Sequence, residues 1–110
     1  MPRPIGWIGT RSNSGVHNLA PYSFFNAVAT NPPVLLFSTG VLDGVVKDSL
    51  RNIRETGVFT ANLVDHGLAV AMNDTSATLS HEVDEFAMAG LTATNFGSVD
   101  APGVQEAKAV

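Results

Sequence analysis

Lys47 and Ser49 are two side chains whose types and spacing suggest a binding chemistry. They lie at the start of a helix that the sequence predicts from Asp48 to just before Gly57. A helix start offers unpaired N–H groups and the positive end of the helix dipole, so an added ammonium and hydroxyl make a plausible phosphate site. An ordinary capped helix with a solvated lysine has the same pattern. The spacing alone leaves both explanations open.

A second stretch, TRSNSGVHNLAPYS at residues 10–23, is dense in hydrogen-bonding side chains: Thr10, Arg11, Ser12, Asn18 and Ser23. Pro21 is expected to free the backbone groups around it from strand pairing. A flat, hydrogen-bonding heterocycle could dock against such an edge, because small-ligand sites combine apolar walls with a few placed polar groups. A polar hairpin loop followed by a core plug of Phe24 and Phe25 explains the same residues, and the pattern alone favours this second explanation.

The remaining titratable side chains do not match a metal site or a catalytic pair. The three histidines lie far apart and lack the spacing of metal ligands: His17, His66 and His81. One acidic set fits the negative charge that favours a helix start: Glu82, Asp84 and Glu85. We therefore predict no bound metal and no general acid–base pair.

The composition is that of a globular chain with few charges. Of its 110 residues, 45% are hydrophobic and 15% are charged, which argues against disorder and suggests that part of the surface meets another chain. The net charge of −4 argues against a nucleic-acid partner. There is no cysteine, no signal-peptide layout and no apolar run long enough to span a bilayer. We expect a cytoplasmic protein that makes no membrane contact.

The polar stretch is predicted to lie on a β-hairpin. Residues 5–10 alternate between the two faces of a strand, residues 11–15 have turn chemistry, and residues 16–20 alternate again. Because Pro21 lacks a backbone donor and restricts Ala20, regular pairing is expected to end there.

A buried strand, a helix and a further strand are predicted to follow. Residues 34–38, VLLFS, form a short apolar run that is typical of a strand buried on both faces. Asp48 or Ser49 is the expected N-cap of the helix, and Gly57 its C′ residue. Residues 58–64 return to strand periodicity, with one face formed by Phe59, Ala61 and Leu63.

Two short helices are predicted in the second half of the chain. Asp65 is the expected N-cap of the first and Ser80 that of the second, which ends at Gly90 and Leu91. From Ala93 the chain is punctuated by glycine and proline. These strands are too few to close a barrel, so we expect part of a larger domain, or a sheet that a partner chain completes.

Four segments of the sequence, taken in order, resemble the flavin reductase-like proteins with an FMN-binding split barrel. They are PRPIGWIGTRSNSGVHNLAPYSFFNAV at 2–28, NPPVLLFS at 31–38, KDSLRNIRETGVFTANLV at 47–64 and AMNDTSATLSHEVDEFAMAGL at 71–91. The resemblance implies a mainly β fold, a Greek-key antiparallel split β-barrel with short helices. Family members run to nearly twice this length, so residues 1–110 are expected to be the N-terminal part of a single domain and the barrel incomplete. Gly103 stands where the family often has an arginine.

The resemblance also assigns flavin contacts by position. Isoalloxazine contacts fall on Asn18, Leu19, Ala20, Pro21, Tyr22 and Ser23. Ribityl or phosphate contacts fall on Thr10, Arg11, Ser12, Ser38, Lys47, Asp48 and Ser49. The two polar stretches thus become opposite ends of one ligand.

The function implied by the resemblance is NAD(P)H-dependent reduction of flavin, with FMN as cofactor and NADH or NADPH as hydride donor. Such proteins form homodimers and can supply reduced flavin to a partner monooxygenase. No catalytic side chain is expected, because the cofactor carries the chemistry and the protein positions it. Two alternatives stay open: a flavin-binding electron-relay or storage module without its own turnover, and a truncated remnant that does not bind flavin.

Overall fold

The computed structural model describes residues 5–39, 41–42, 45–46, 48–76, 84–95 and 99–107. These residues form strands joined by short helices. The strands are β1 (Gly6–Arg11), β2 (His17–Tyr22), β3 (Phe25–Thr30), β4 (Pro33–Phe37), β5 (Val41–Leu42), β6 (Val45–Val46), β7 (Thr60–Asn62), β8 (Ala93–Asn95) and β9 (Pro102–Val104). The helices are α1 (Asp48–Thr56), α2 (Ala69–Asp74), which follows a 3₁₀ turn at His66–Leu68, and α3 (Glu85–Met88).

The predicted β1–β2 hairpin is confirmed, and it extends further than expected. The register runs from Arg11 opposite His17 to Gly6 opposite Tyr22, so Pro21 stays within the strand. The prediction that pairing ends at Pro21 is therefore wrong. The sheet order is β2–β1–β7, which leaves β2 at an edge, and an edge strand tolerates a proline because one of its sides needs no donor.

Strand β7 pairs with the other side of β1 and turns its polar side chains inward. Thr60 and Asn62 are buried, whereas Leu63 is 52% exposed, so the more buried face of this strand is the polar one and not the face of Phe59, Ala61 and Leu63. Tertiary hydrogen bonds explain why the polar side chains are buried. The Asn62 amide donates to the Trp7 carbonyl at 2.9 Å and accepts from the Val104 N–H at 2.8 Å.

The core cluster joins residues from distant parts of the chain: Trp7, Leu19, Phe86 and Val104. The Trp7 indole N–H donates to Thr75 Oγ1 at 3.0 Å, so this large side chain is buried with its polar atom satisfied. The core therefore ties the β1–β2 hairpin to the end of α2, to α3 and to β9.

The β3–β4 hairpin leaves most of its apolar side chains exposed. Leu36 is 47% and Phe24 is 58% exposed, so two predictions are wrong: the strand buried on both faces and the core plug at Phe24. Phe25 is half-buried and lies against Gly6, where an added Cβ would fall within 2.3 Å of the Phe25 ring. Within the described residues neither face of the hairpin is fully covered. Apolar composition is a poor predictor of burial where no second layer packs on a strand.

The ends of the short helices follow the sequence signals in most cases. Gly57 and Gly90 have positive φ of 78° and 73°, and each ends a helix as predicted. Asp65 accepts from the Leu68 N–H at 3.1 Å, as expected of an N-cap. Helix α1 already includes Asp48 and Ser49, so both lie in its first turn and neither is its cap. The predicted cap Ser80 lies outside the described residues, and α3 is capped by Asp84.

The last described segment adds the antiparallel pair β8–β9, in which Gly103 lies opposite Thr94. Strand β9 packs against β1 and β7, where Thr60 Oγ1 donates to the Pro102 carbonyl at 2.7 Å. The described strands form separate antiparallel sheets and no closed barrel. The fold class is therefore mainly β with short helices, as predicted. No helix among the described residues is long and apolar enough to cross a membrane.

Candidate functional site

The start of α1 lies against β2 and brings the two predicted ligand-binding stretches together. The Asn18 amide lies 2.9 Å from Ser49 Oγ, although the two residues are 31 positions apart in the chain. The Tyr22 hydroxyl is also hydrogen-bonded with Ser49. All three side chains are buried, and each forms at least one hydrogen bond within this group.

Thr10 forms a second contact between β1 and α1. The Asn52 amide nitrogen donates to Thr10 Oγ1 at 3.0 Å, and both side chains are fully buried. Asn52 was not among the predicted site residues. A sequence signal for it existed, because Asn52 lies three positions after Ser49 and therefore on the same helix face.

Glu85 is a further buried polar group that the sequence analysis placed elsewhere, among the charges of a helix start. Its carboxylate oxygens accept from the Asn18 amide nitrogen at 2.9 and 3.0 Å, while the Asn18 oxygen accepts from Ser49 Oγ. This amide orientation is assigned from its partners, because the opposite one would point the Asn18 oxygen at a carboxylate. No local pattern signals this role, since Asn18 and Glu85 meet only in the tertiary structure.

Burial changes the acid–base properties of this cluster. It is the largest cause that raises the pKa of Glu85 to about 7, and the nearby charges of Asp48 and Asp84 add to the rise. Hydrogen bonds from the backbone N–H groups of Glu85 and Leu19 act in the opposite direction. Burial likewise raises the pKa of Tyr22, against the effect of its hydrogen bond with Ser49.

The other predicted contacts that the structure describes differ in their burial and in their partners. Ser12 Oγ is buried and accepts from the Val16 N–H at 3.0 Å within the hairpin turn. Arg11 forms an ion pair with Asp100. Leu19 belongs to the core, Ala20, Pro21 and Asp48 are half-buried, and Lys47 lies outside the described residues.

Ser23 and Ser38, two predicted contacts for different parts of the ligand, lie close together at the base of the β3–β4 hairpin. Both are exposed, and the Ser38 N–H donates to the Phe24 carbonyl at 2.9 Å. Beside them the Tyr22 and Phe37 rings lie 4.9 Å apart, and Phe37 packs edge-on against Phe59. This end of the site combines apolar rings with exposed hydroxyl groups.

Three buried side-chain atoms lack a hydrogen-bond partner among the described residues: Arg11 Nε, Thr39 Oγ1 and Asn52 Oδ1. Arg11 is itself a predicted flavin contact, Thr39 follows Ser38, and Asn52 is bonded to Thr10. Two of these atoms can donate and one accepts, which suits phosphate oxygens together with ribityl hydroxyls. These atoms, two donors and one acceptor, are of the types with which a flavin nucleotide can form hydrogen bonds.

A separate cavity of about 230 Å³ lies beside Arg11 and His17, and its other lining residues are Ala93, Thr94, Asn95, Asp100, Ala101 and Pro102. Arg11 is the one predicted flavin contact among them. The cavity is smaller than the roughly 300–1,000 Å³ typical of small-ligand pockets. It therefore does not by itself define the site.

Comparisons with known proteins give one consistent result. A family model described as flavin reductase like domain matches residues 1–110. An uncharacterized protein of Aquifex aeolicus (strain VF5) is 42% identical over 109 residues, which are 98% of this chain and 56% of that protein. The chain spans about half the length of the curated relatives it matches.

Two solved structures resemble the chain over nearly all of its length. Nitrilotriacetate monooxygenase component B from Bacillus cereus is 38% identical, with a TM-score of 0.93 over 97% of this chain and 53% of that one. Flavoredoxin of Desulfovibrio vulgaris (Miyazaki F) is 25% identical, with a TM-score of 0.86 over 96% of this chain and 55% of that one.

Proposed function

The chain belongs to the flavin reductase-like family, whose solved members share a split-barrel fold, and from that premise we propose that it binds FMN and accepts hydride from NADH or NADPH. The observation that supports this most directly is the position of the three buried atoms that have no hydrogen-bond partner within the described part of the chain. Arg11 Nε, Thr39 Oγ1 and Asn52 Oδ1 all lie in or beside stretches assigned to flavin.

The proposed arrangement divides the ligand between two regions. The edge of β2, from Asn18 to Ser23, would hold the isoalloxazine ring through backbone groups that β1 does not use. The Leu19 N–H is not among them, because it already donates to Glu85. Thr10–Ser12 and Ser38 would contact the ribityl chain, and Lys47–Ser49 the phosphate at the start of α1.

Bound FMN would supply the electron-accepting ring, so this chain needs no acid, base or nucleophile of its own. Its residues act by position. The buried contacts between Asn18 and Ser49 and between Thr10 and Asn52 fix α1 on the β1–β2 hairpin. A fixed relation between these elements would hold both ends of one ligand at a constant separation, which hydride transfer between two rings requires.

A titration of the purified chain with FMN tests the binding proposal. Saturable quenching of flavin fluorescence is expected, followed by bleaching of the flavin absorbance when NADH or NADPH is added without oxygen. A chain that leaves flavin fluorescence unchanged at every protein concentration contradicts FMN binding. That result would instead support the remnant that does not bind flavin.

A second candidate is a flavin-binding electron relay without turnover of its own. The likeness to a protein named flavoredoxin favours it. The two candidates differ in one result, because a relay would bind FMN but would not be bleached by a nicotinamide donor, whereas dithionite would bleach both.

We also propose two kinds of partner. The likeness to a protein named monooxygenase component B supports delivery of reduced flavin to a monooxygenase. The family resemblance supports a homodimer, and sedimentation velocity of the purified chain over a range of concentrations would test it. A single species with the mass of one chain at all concentrations would count against the dimer.

A further inference from the structure

Four buried polar side chains form a continuous chain of hydrogen bonds through three elements, here called the Glu85–Tyr22 chain. Glu85 on α3 contacts Asn18 on β2 at 2.9 and 3.0 Å, and Asn18 contacts Ser49 on α1 at 2.9 Å. Ser49 is in turn hydrogen-bonded with Tyr22 on β2. None of the four side chains is more than 6% exposed. Because buried polar groups remain hydrogen-bonded, the direction of each bond constrains the next.

We propose that the protonation state of Glu85 sets the direction of every hydrogen bond in the Glu85–Tyr22 chain. When Glu85 is ionised it can only accept, so the Asn18 amide nitrogen donates to it. The Asn18 oxygen then accepts from the Ser49 hydroxyl. Ser49 Oγ still has a free lone pair, and it accepts from the Tyr22 hydroxyl.

When Glu85 is neutral, the same contacts run the other way. The Asn18 amide flips, so that its oxygen and nitrogen exchange positions. The Glu85 O–H then donates to the Asn18 oxygen, and the Asn18 amide nitrogen donates to Ser49 Oγ. The Ser49 hydroxyl then donates to Tyr22, whose own O–H turns to another acceptor. The Asp48 carboxylate is near enough to interact with Tyr22 and can take this role. One proton from solvent binds Glu85, and every other hydrogen stays on its own heavy atom.

The charged and titratable surroundings favour a change of state close to neutral pH. Asp48 on α1 and Asp84 on α3 both place negative charge near Glu85, and Tyr22 on β2 lies within its electrostatic reach. His17 on β2 lies 4.0 Å from Asp84. Burial and these charges raise the pKa of Glu85 to about 7, so both forms of the chain are populated there.

The consequence for ligand binding rests on the proposed function, because Tyr22, Asp48 and Ser49 are proposed flavin contacts. Protonation of Glu85 removes a negative charge from the neighbourhood of an anionic nucleotide. It also turns the Tyr22 donor away from Ser49. Ionisation of Glu85 reverses both changes, so FMN affinity is expected to fall by about two- to tenfold as the pH rises through 7, a change comparable with the net contribution of one hydrogen bond.

Tyr22 is the one tyrosine in the sequence, which allows its hydrogen bonding to be observed directly. The ultraviolet resonance Raman doublet of tyrosine distinguishes a phenol that donates from one that accepts. In the ligand-free protein this doublet is expected to change with pH around 7. The change should persist in Glu55→Gln, an exposed control on α1, and be absent in Glu85→Gln, whose amide imitates the neutral acid.

Ser49→Ala separates this device from a simple structural role of Glu85. The variant interrupts the chain between Asn18 and Tyr22, so the Tyr22 doublet should become independent of pH. The NMR signals of the Asn18 side-chain amide should still titrate around pH 7. A Tyr22 doublet that does not respond to pH in the wild-type protein, or that responds equally in Glu85→Gln, overturns the proposal.

Titration of the same proteins with FMN at pH values below and above 7 completes the test. Because the phosphate of FMN also titrates, the quantity to compare is the affinity ratio of wild type to Glu85→Gln at each pH. A ratio that changes by about two- to tenfold supports the link to flavin. No FMN binding at any pH, together with a pH-dependent Tyr22 doublet, would refute the proposed function and leave the Glu85–Tyr22 chain intact. FMN binding together with a Tyr22 doublet that does not respond to pH would support the proposed function and refute the proposal for the Glu85–Tyr22 chain.

Discussion

At the scale of single residues, the candidate site consists of buried polar pairs and of three buried atoms that have no hydrogen-bond partner among the described residues. Asn18 pairs with Ser49 and Thr10 pairs with Asn52, and in each pair one partner lies on α1. Three of these side chains, Thr10, Asn18 and Ser49, were predicted as ligand contacts, and the structure gives them a prior role in holding the helix. A substitution among them therefore tests structure and binding together, so matched controls are needed.

Lys47→Ala is expected to weaken FMN binding by about tenfold or more, because a charge-assisted bond to phosphate is lost. The measurement is the dissociation constant of FMN from fluorescence titration. Arg54→Ala is the control, since it removes a positive charge from an exposed position of α1. Equal affinity in wild type and Lys47→Ala would refute the assignment of the phosphate to residues 47–49.

Thr10→Val is expected to lower the free energy of unfolding by about 1–3 kcal/mol, because the buried Asn52 amide nitrogen loses Thr10 Oγ1 as its acceptor. The volume of the side chain at position 10 hardly changes. Urea denaturation followed by tryptophan fluorescence measures the loss. Thr92→Val, at an exposed position, should leave stability nearly unchanged. If both variants unfold at the same urea concentration as wild type, the Thr10–Asn52 contact contributes nothing to stability.

At the scale of elements, the close approach of β9 to β1 positions the sheet that carries the site. An added Cβ at Gly9 would lie 2.2 Å from the Pro102 carbonyl oxygen, a backbone atom that cannot move without shifting β9. The Thr60 hydroxyl occupies the same region and donates to that carbonyl. A side chain at position 9 is thus incompatible with this packing.

Gly9→Ala is accordingly expected to destabilise the chain by at least about 1–3 kcal/mol, the typical cost of overpacking a close-packed contact. Thermal unfolding followed by circular dichroism provides the measurement. Gly67→Ala is the matched control, because a Cβ there meets its nearest neighbour at an ordinary 3.5 Å. Wild-type stability in Gly9→Ala would mean that β9 does not lie against β1 in solution.

At the scale of the whole molecule, the buried Glu85 makes folding depend on pH. Its pKa is raised from 4.5 to about 7, so between these values the folded chain binds more protons than the unfolded one. The contribution of neutral Glu85 to the free energy of unfolding is fully present below pH 4.5 and is lost as the pH rises through 7. It is lost because the ionised carboxylate is disfavoured in a buried site that connects α3 to the sheet.

Relative to Glu85→Gln, the wild-type free energy of unfolding is expected to fall by up to about 3 kcal/mol between pH 4.5 and pH 7 and then to level off. Urea denaturation of both proteins at a series of pH values measures the difference, in which the titration of the other carboxylates largely cancels. A difference that is constant across this range would contradict the raised pKa.

Much of the architecture could be predicted from the sequence, because it depends on local signals. The β1–β2 hairpin follows from alternation around the turn residues of RSNSG. The positive-φ glycines at 57 and 90 mark two helix ends, and Asp65 caps a turn, because each acts on backbone groups a few residues away. The order of segments was also enough to identify the family, which the match over residues 1–110 confirms.

Only the tertiary structure decided which side chains are buried and which of them meet. Asn62 and Thr60 face inward, and Leu36 and Phe24 are exposed, because burial depends on what packs against a strand as well as on polarity. The contact of Asn18 with both Ser49 and Glu85 joins residues that no sequence spacing relates. Local patterns determine the elements of this protein, whereas its polar cluster exists because three distant elements meet where water is excluded.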